Sequence, residues 1–142
     1  MIKIACLLPV WGGDDVDTFY MAVDSLIQQQ LNKDTELTIF FCLDGVLSNT
    51  HHKIIHDASL TVPTVCVENI YSNGLPNNLN SGLKEILNSN FDYIARMDAD
   101  DVCVNNRFLV QLSYLQQNPG VDVVGSWSAI IDRESEIIGE NE

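Results

Sequence analysis

Three carboxylates crowd into four positions at Asp98, Asp100 and Asp101, directly after the mostly apolar run Phe91-Asp92-Tyr93-Ile94-Ala95-Arg96-Met97. Like charges at that spacing repel one another, so an offsetting cation is expected, and hard divalent ions take carboxylate oxygens. Asp98 and Asp100 lie two residues apart, which puts both side chains on one side of an extended backbone. One can then hold a sugar hydroxyl while the other binds the metal. The run before them reads as a buried strand. In an open parallel sheet, ligands bind just outside the carboxyl ends of the strands.

Two more strand ends carry residues of interest, Pro9-Val10-Trp11 and Asp44-Gly45. Asp44 can accept hydrogen bonds from a base or a ribose, and Gly45 lets the backbone turn closely around a ligand. Each feature also has a plainer explanation. Asp-Gly after a strand is a common turn, and Asp101 can serve only to cap the helix that follows. Trp11 can pack at a sheet edge, and Asn80 can be solvated on its helix. His51, His52 and His56 are expected on a polar helix face, solvated rather than bound to metal.

The elements that must position these residues alternate in type. Ile2 to Pro9 reads as a first strand, and Asp14 or Asp15 caps a helix running to about Leu31. Leu37 to Leu43 is apolar on both faces, as a central parallel strand should be. A weaker helix spans Thr50 to Leu60, and a third strand Val62 to Val67. Ser72-Asn73-Gly74 makes a turn into a helix with Leu75, Leu79, Leu83, Ile86 and Leu87 as its stripe. After the acid-ended strand, Asn105 or Asn106 opens a helix that buries Phe108, Leu109, Leu112 and Leu115 and closes at Asn118-Pro119-Gly120. Val121 to Ile131 reads as a last strand, and the acidic stretch from Asp132 to Glu142 is expected to fray. Strands alternating with helices predict an α/β fold with an open, mainly parallel sheet and helices on both faces.

The bulk properties narrow the classes of function. The 142 residues suggest one domain, and a hydrophobic content of 46% suffices for one core. A formal net charge of -13 argues against nucleic acid as a partner, because phosphates need a basic stripe. It also makes an anionic substrate awkward unless a cation mediates. Cys6, Cys42, Cys66 and Cys103 show no close pairing, so reduced thiols are expected, three of them within apolar strands. No apolar run reaches the roughly 18–20 residues of a membrane span, and no secretory cleavage signal follows the start, so a cytoplasmic location is expected.

Taken jointly and in order, these pieces resemble glycosyltransferase family 2, the inverting nucleotide-sugar-dependent enzymes of the GT-A fold. The likeness is to the bacterial polysaccharide-building branch and covers Ile4 to about Asp132. It rests on Leu8-Pro9-Val10-Trp11, Ala22-Val23-Asp24-Ser25-Leu26 with Gln29-Gln30, Leu43-Asp44-Gly45, and Asn73-Gly74-Leu75 with Leu79-Asn80-Ser81-Gly82-Leu83. The most specific run is Tyr93-Ile94-Ala95-Arg96-Met97-Asp98-Ala99-Asp100-Asp101, continued by Arg107-Phe108 and Val121-Asp122-Val123-Val124-Gly125-Ser126. The resemblance implies a nucleotide-diphosphate sugar, a UDP-sugar above all, as donor and a saccharide or lipid-linked acceptor. Pro9, Val10, Trp11 and Asp44 would meet the base, with Gly45, Gly74, Asn80, Arg96 and Ala99 also at the donor site. Asp98 would hold the ribose or sugar, and Asp100, with Asp98, would bind Mn²⁺ or Mg²⁺. Surface polysaccharide synthesis would then take place in the cytoplasm or at the inner face of the membrane.

Departures from the family pattern matter as well. Leu43 stands where many relatives have a second acid, and Leu79 where many have an Arg that meets the diphosphate. The resemblance further implies an acceptor-binding half with a carboxylate base, beginning beyond about Ile131. No acid in this sequence matches that base, since Asp132, Glu134 and Glu136 lie too early. Transfer by this chain alone is therefore not expected, and self-association through uncovered apolar surface is. Two rival classes fit less of the chain. A haloacid-dehalogenase-like phosphatase matches Asp98-Ala99-Asp100-Asp101-Val102, but no Lys follows Lys84 and no adjacent acidic pair follows Asp101. An EF-hand loop fails because Cys103 and Leu109 occupy its glycine and glutamate positions. A non-catalytic nucleotide-binding or docking module remains the alternative outside enzymes, distinguished by whether the gene encodes a base-bearing segment after Glu142.

Overall fold

The computed structural model describes residues 1–71 and 74–141. It divides into two compact units, Met1–Phe108 and Leu109–Glu142. Ser72 and Asn73, two of the three residues of the expected turn and, in Asn73, one residue of the Asn-Gly-Leu motif, lie outside the described residues.

The first unit is built on a parallel sheet of four strands in the order β3-β2-β1-β4. These are β1 (Ile2–Trp11), β2 (Thr35–Asp44), β3 (Thr64–Asn69) and β4 (Tyr93–Arg96), with α1 (Val16–Ile27), α2 (Asn49–Ser59) and α3 (Leu75–Leu87) between them. The two central strands are buried along almost their whole length, as their continuous apolar runs require. Alternation along them divides the core between the two faces. Ala5 and Leu7 of β1 join Phe40 and Cys42 of β2 and Ile86 of α3 on one face. On the other, Phe41 of β2 meets Phe19 of α1 edge to face, ring centroids 6.2 Å apart.

Several element boundaries and faces differ from expectation. Helix α1 stops at Ile27 rather than Leu31: the Gln28 and Gln29 N–H groups still bond Asp24 O and Leu26 O, and from Gln30 the backbone bonds elsewhere. The Gln29 amide donates to Val104 O (2.8 Å) and the Gln30 N–H to Asn105 O (2.7 Å). In α3 the buried residues are Asn78, Gly82 and Ile86, while Leu75 and Leu87 face solvent. Gly82 lies so close to β1 and β2 that a Cβ there would overlap Cys42 Sγ and Leu7 Cδ1. Strand β4, expected to be buried, sits at the sheet edge and leaves Ile94 exposed. Cys66 is exposed on β3, the opposite edge, whereas Cys6, Cys42 and Cys103 are buried, and all four are free thiols.

Helix α4 (Arg107–Gln117) begins in the first unit and continues into the second, which also holds an antiparallel hairpin of β5 (Ser128–Ile131) and β6 (Ile137–Asn141). The long strand expected from Val121 is thus only its last four residues. The stretch after Asp132, expected to fray, supplies the partner strand instead. Asp132 makes this turn, its Oδ1 accepting the N–H groups of Glu134 (3.0 Å) and Glu136 (2.9 Å). Such a carboxylate-made turn needs no apolar periodicity, which is why composition alone hides it. Among the described residues no helix is long and apolar enough to cross a membrane.

Candidate functional site

The chain starts in the sheet at β1, moves outward through β2 to β3, then returns to lay β4 on the other side of β1. That reversal makes β1 and β4 a topological switch point, the place where an open α/β sheet leaves a crevice at its carboxyl edge. A cavity of about 480 Å³ lies there, within the range of small-molecule sites.

Each wall comes from a different strand end. Strand β1 supplies Pro9, Val10 and Trp11, and β2 supplies Asp44, which is in register with Trp11. From β4 come Arg96 and then Asp98, Ala99 and Asp100. These last residues continue past the end of the sheet after the Met97 N–H bonds Leu7 O at 3.1 Å. The start of α3 closes the remaining side with Gly74, Leu75 and Asn78. Gly74 adopts φ 79° at the helix N-cap, a backbone region that other residues enter only under strain.

Nine of the eleven site residues expected from sequence thus converge on one cavity. Two do not line it. Gly45 lies just outside, turning the chain with φ 73° while its N–H bonds Asn69 O at 2.9 Å. Asn80 is exposed on α3. Asn78, one half-turn earlier, is the asparagine that reaches the site, and it is only 2% exposed. Its amide donates to Cys42 O at 2.7 Å and its carbonyl oxygen accepts from the Asn69 amide. Asp14 also lines the cavity, although the sequence marked it only as a helix cap. The cap proper is Asp15, whose carboxylate accepts the N–H groups of Asp17 and Thr18. The signal for Asn78 was its place on the same helical face as Gly82 and Ile86, a polar residue in a buried stripe.

The charges of the site are arranged in pairs and clusters. Arg96 Nη2 donates to Asp98 Oδ1 at 2.7 Å, and both side chains remain partly exposed. Partial desolvation, then repulsion from Asp100 and Asp98, pushes the Asp101 carboxyl above its ordinary value, an effect that Arg107 and Arg96 offset in part. Arg107 holds the acid-bearing segment from behind, Nη2 donating to Arg96 O at 3.1 Å. Ser25 Oγ accepts the Cys103 N–H at 3.0 Å and fixes the far end of the same segment to α1.

Among the described residues no three acids, histidines or cysteines converge as a ready-made metal cluster. Asp98 and Asp100 nevertheless present hard oxygen donors at the cavity, and their mutual repulsion with Asp101 favours a cation beside them. Two carboxylates suit a divalent ion that takes its remaining ligands from water and substrate phosphates, the usual habit of Mg²⁺.

Known proteins share this sequence pattern and this fold. The chain is 30% identical over 126 residues to the amylovoran biosynthesis glycosyltransferase AmsE of Erwinia amylovora, matching 89% of this chain and 44% of that protein. It spans less than half the length of each of the curated relatives it matches. Among solved structures, S. aureus TarS in complex with UDP-GlcNAc superposes with a TM-score of 0.67 at 13% identity, over 83% of this chain and 32% of that one. The mannosyltransferase PcManGT of Pyrobaculum calidifontis, in complex with GDP-Man and Mn²⁺, gives 0.62 at 15% identity, over 91% and 35%. These neighbours establish the GT-A fold. The model of glycosyl transferase family 2 matches residues 14–140, nearly the whole chain, and the chain belongs to that family.

Proposed function

We propose that this chain supplies the donor site of an inverting, metal-dependent glycosyltransferase, binding a nucleotide-diphosphate sugar at the cavity between β1, β2 and β4. The observation that carries the proposal is the meeting of Pro9–Trp11, Asp44, Arg96, Asp98 and Asp100 around one cavity at the sheet's switch point. Their chemistry sorts by place. The Trp11 indole is 56% exposed and offers an apolar face to a base. Asp44, paired in register with Trp11, accepts hydrogen bonds from base or ribose. On the β4 side, Asp98 accepts from a sugar hydroxyl, and Arg96 is the cation within reach of a diphosphate. Asp100 and Asp98 are the residues that would hold Mn²⁺ or Mg²⁺. When bound, the ion supplies Lewis-acid charge that offsets both the acids and the departing diphosphate.

In the transfer itself, the acceptor hydroxyl oxygen bonds to the anomeric carbon as the bond to the diphosphate breaks, which inverts that centre, and the hydroxyl proton passes to a carboxylate base that this chain's residues do not supply. This chain's residues fix the donor for that displacement and keep its diphosphate in register with Arg96. A UDP-sugar is the preferred donor in this reading, supported by the UDP-GlcNAc bound in TarS. Mn²⁺ is supported by the ion bound with GDP-Man in PcManGT. The acceptor would be a saccharide or lipid-linked oligosaccharide of a surface polysaccharide, handled in the cytoplasm or at the inner face of the membrane. Self-association would cover exposed apolar residues such as Ile94.

The test is calorimetry with UDP, with and without Mn²⁺. Binding should require the metal, and Asp100→Ala should weaken it by more than about tenfold, or 1.4 kcal/mol. Metal-independent binding, or equal binding by Asp100→Ala, would overturn the assignment.

A further inference from the structure

Histidine 51 departs from the solvated role that its polar helix predicts. It is 1% exposed, in the first turn of α2, with its ring 5.5 Å from that of Phe19. Both ring nitrogens are engaged. Nε2 lies 3.1 Å from Asp14 O and Nδ1 lies 2.7 Å from Ser48 Oγ. A carbonyl oxygen only accepts, so Nε2 carries the proton and donates to Asp14. In the Nε2–H tautomer, Nδ1 accepts from the Ser48 hydroxyl, whose oxygen in turn accepts the His51 N–H at 3.3 Å as the helix cap. The pattern is complete with one tautomer.

What this ring touches is the wall of the donor cavity. Residues 11–14 form a tight turn, closed by the Asp14 N–H donating to Trp11 O (3.1 Å) and the Trp11 N–H donating to Asp14 Oδ2 (2.9 Å). Trp11 and Asp14 both line the cavity. The turn has no slack on its outer side, because a Cβ on Gly12 would overlap Val46 O and one on Gly13 would overlap the Trp11 indole. His51 is the hydrogen bond that ties this turn to the segment leaving β2 through Ser48.

We propose that His51 is a positioning residue of the donor site, whose Nε2–H fixes the Trp11–Asp14 turn against the Asp44 wall so that the nucleoside pocket is already formed before ligand arrives. The inference rests on the donor-site reading above for its ligand, but its geometry can be tested without one. Preorganisation of this kind strengthens binding by removing an ordering cost, not by adding a contact. One hydrogen bond of net worth corresponds to about three- to tenfold in affinity.

Two substitutions separate positioning from bulk packing. His51→Leu keeps an apolar side chain of similar reach and removes the donor. His51→Gln keeps an N–H donor near the place of Nε2. Hydrogen exchange on the unliganded protein should show the Trp11 and Asp14 amides losing protection in His51→Leu, with the Leu8 amide of β1 unchanged and His51→Gln close to native. UDP titration with Mn²⁺ should show the leucine variant weakened about three- to tenfold and the glutamine variant largely restored. If His51→Leu unfolds, Ser48→Ala, which removes the hydroxyl that holds Nδ1 and orients the ring, should show the same local loss of protection in milder form. Unchanged protection at Trp11 and Asp14 in every variant overturns the inference. So does a glutamine variant no better than leucine. Failure of the native protein to bind UDP, with the exchange pattern as expected, would instead overturn the donor-site reading and leave His51 as the tie of that turn.

Discussion

Asn78 shows how a single side chain is fixed by what surrounds it. A buried amide must find partners or cost the free energy of an unmade hydrogen bond. It finds them in Cys42 O and the Asn69 amide, and so ties the start of α3 to the ends of β2 and β3. Asn78→Leu is close in volume and removes both bonds, leaving the Asn69 amide to find a new partner. Urea unfolding should show a loss of about 1–3 kcal/mol. UDP affinity should also fall, because Gly74 and Leu75 enter the cavity from that same helix start. The polar character of Asn78 and Asn80 was plain in the sequence. Their roles were not, since two residues along a helix turn a side chain from core to solvent. His51 carries the same lesson in reverse, a polar residue on a polar-looking helix that packing, the Asp14 carbonyl and the Ser48 hydroxyl drew inward.

At the level of the element, α3 sets intrinsic preference against packing. Alanine is a better helix former than glycine by about 1 kcal/mol, so Gly82→Ala should stabilise an isolated helix. In the folded chain the added Cβ would overlap Cys42 Sγ and Leu7 Cδ1, both buried between the sheet's central strands and α3. Overpacking of this kind costs about 1–3 kcal/mol, so the packing term wins. Thermal unfolding should place the Gly82→Ala melting temperature below the native value. A rise would mean that the helix can shift outward without loss. The glycine therefore sets how near α3 comes to β1 and β2, and with it where the helix start meets the cavity. The two central strands were legible from their unbroken apolar runs, because burial on both faces leaves no polar alternation. Strand β4 was legible as a strand but not as an edge, since the sequence of one strand does not name its neighbours.

Over the whole molecule, the buried thiols impose a pH limit. Burial pushes Cys6 and Cys42 from an ordinary 9.0 up to about 12, and raises Cys103 as well. For a thiol the charged form is the deprotonated one, so the folded chain holds its protons at pH values where the unfolded chain releases them. Stability from this source is complete below pH 9 and lost as pH rises toward 12. Each such thiol contributes a slope of roughly 1.4 kcal/mol per pH unit in that window. Urea midpoints measured from pH 8 to 11 should fall along this slope, and Cys42→Ala should flatten it. A flat profile in the native protein would contradict the burial of these groups. The net charge of -13 works in the same direction on the compact state through self-repulsion, a part that added salt should reduce.

The sequence by itself determined the order of strands and helices as far as β5, the acid run after a strand, and the family. These are local matters of periodicity, turn chemistry and motif spacing, and each is written in neighbouring residues. Tertiary structure alone decided that Asn78 and not Asn80 reaches the cavity, that His51 is inside, that β4 is an edge, and that residues 137–141 form a strand. The physical reason is that burial and hydrogen-bond satisfaction depend on partners far along the chain. Asp14 O and His51 Nε2 are an instance, joined across 37 positions by a contact that no local pattern encodes.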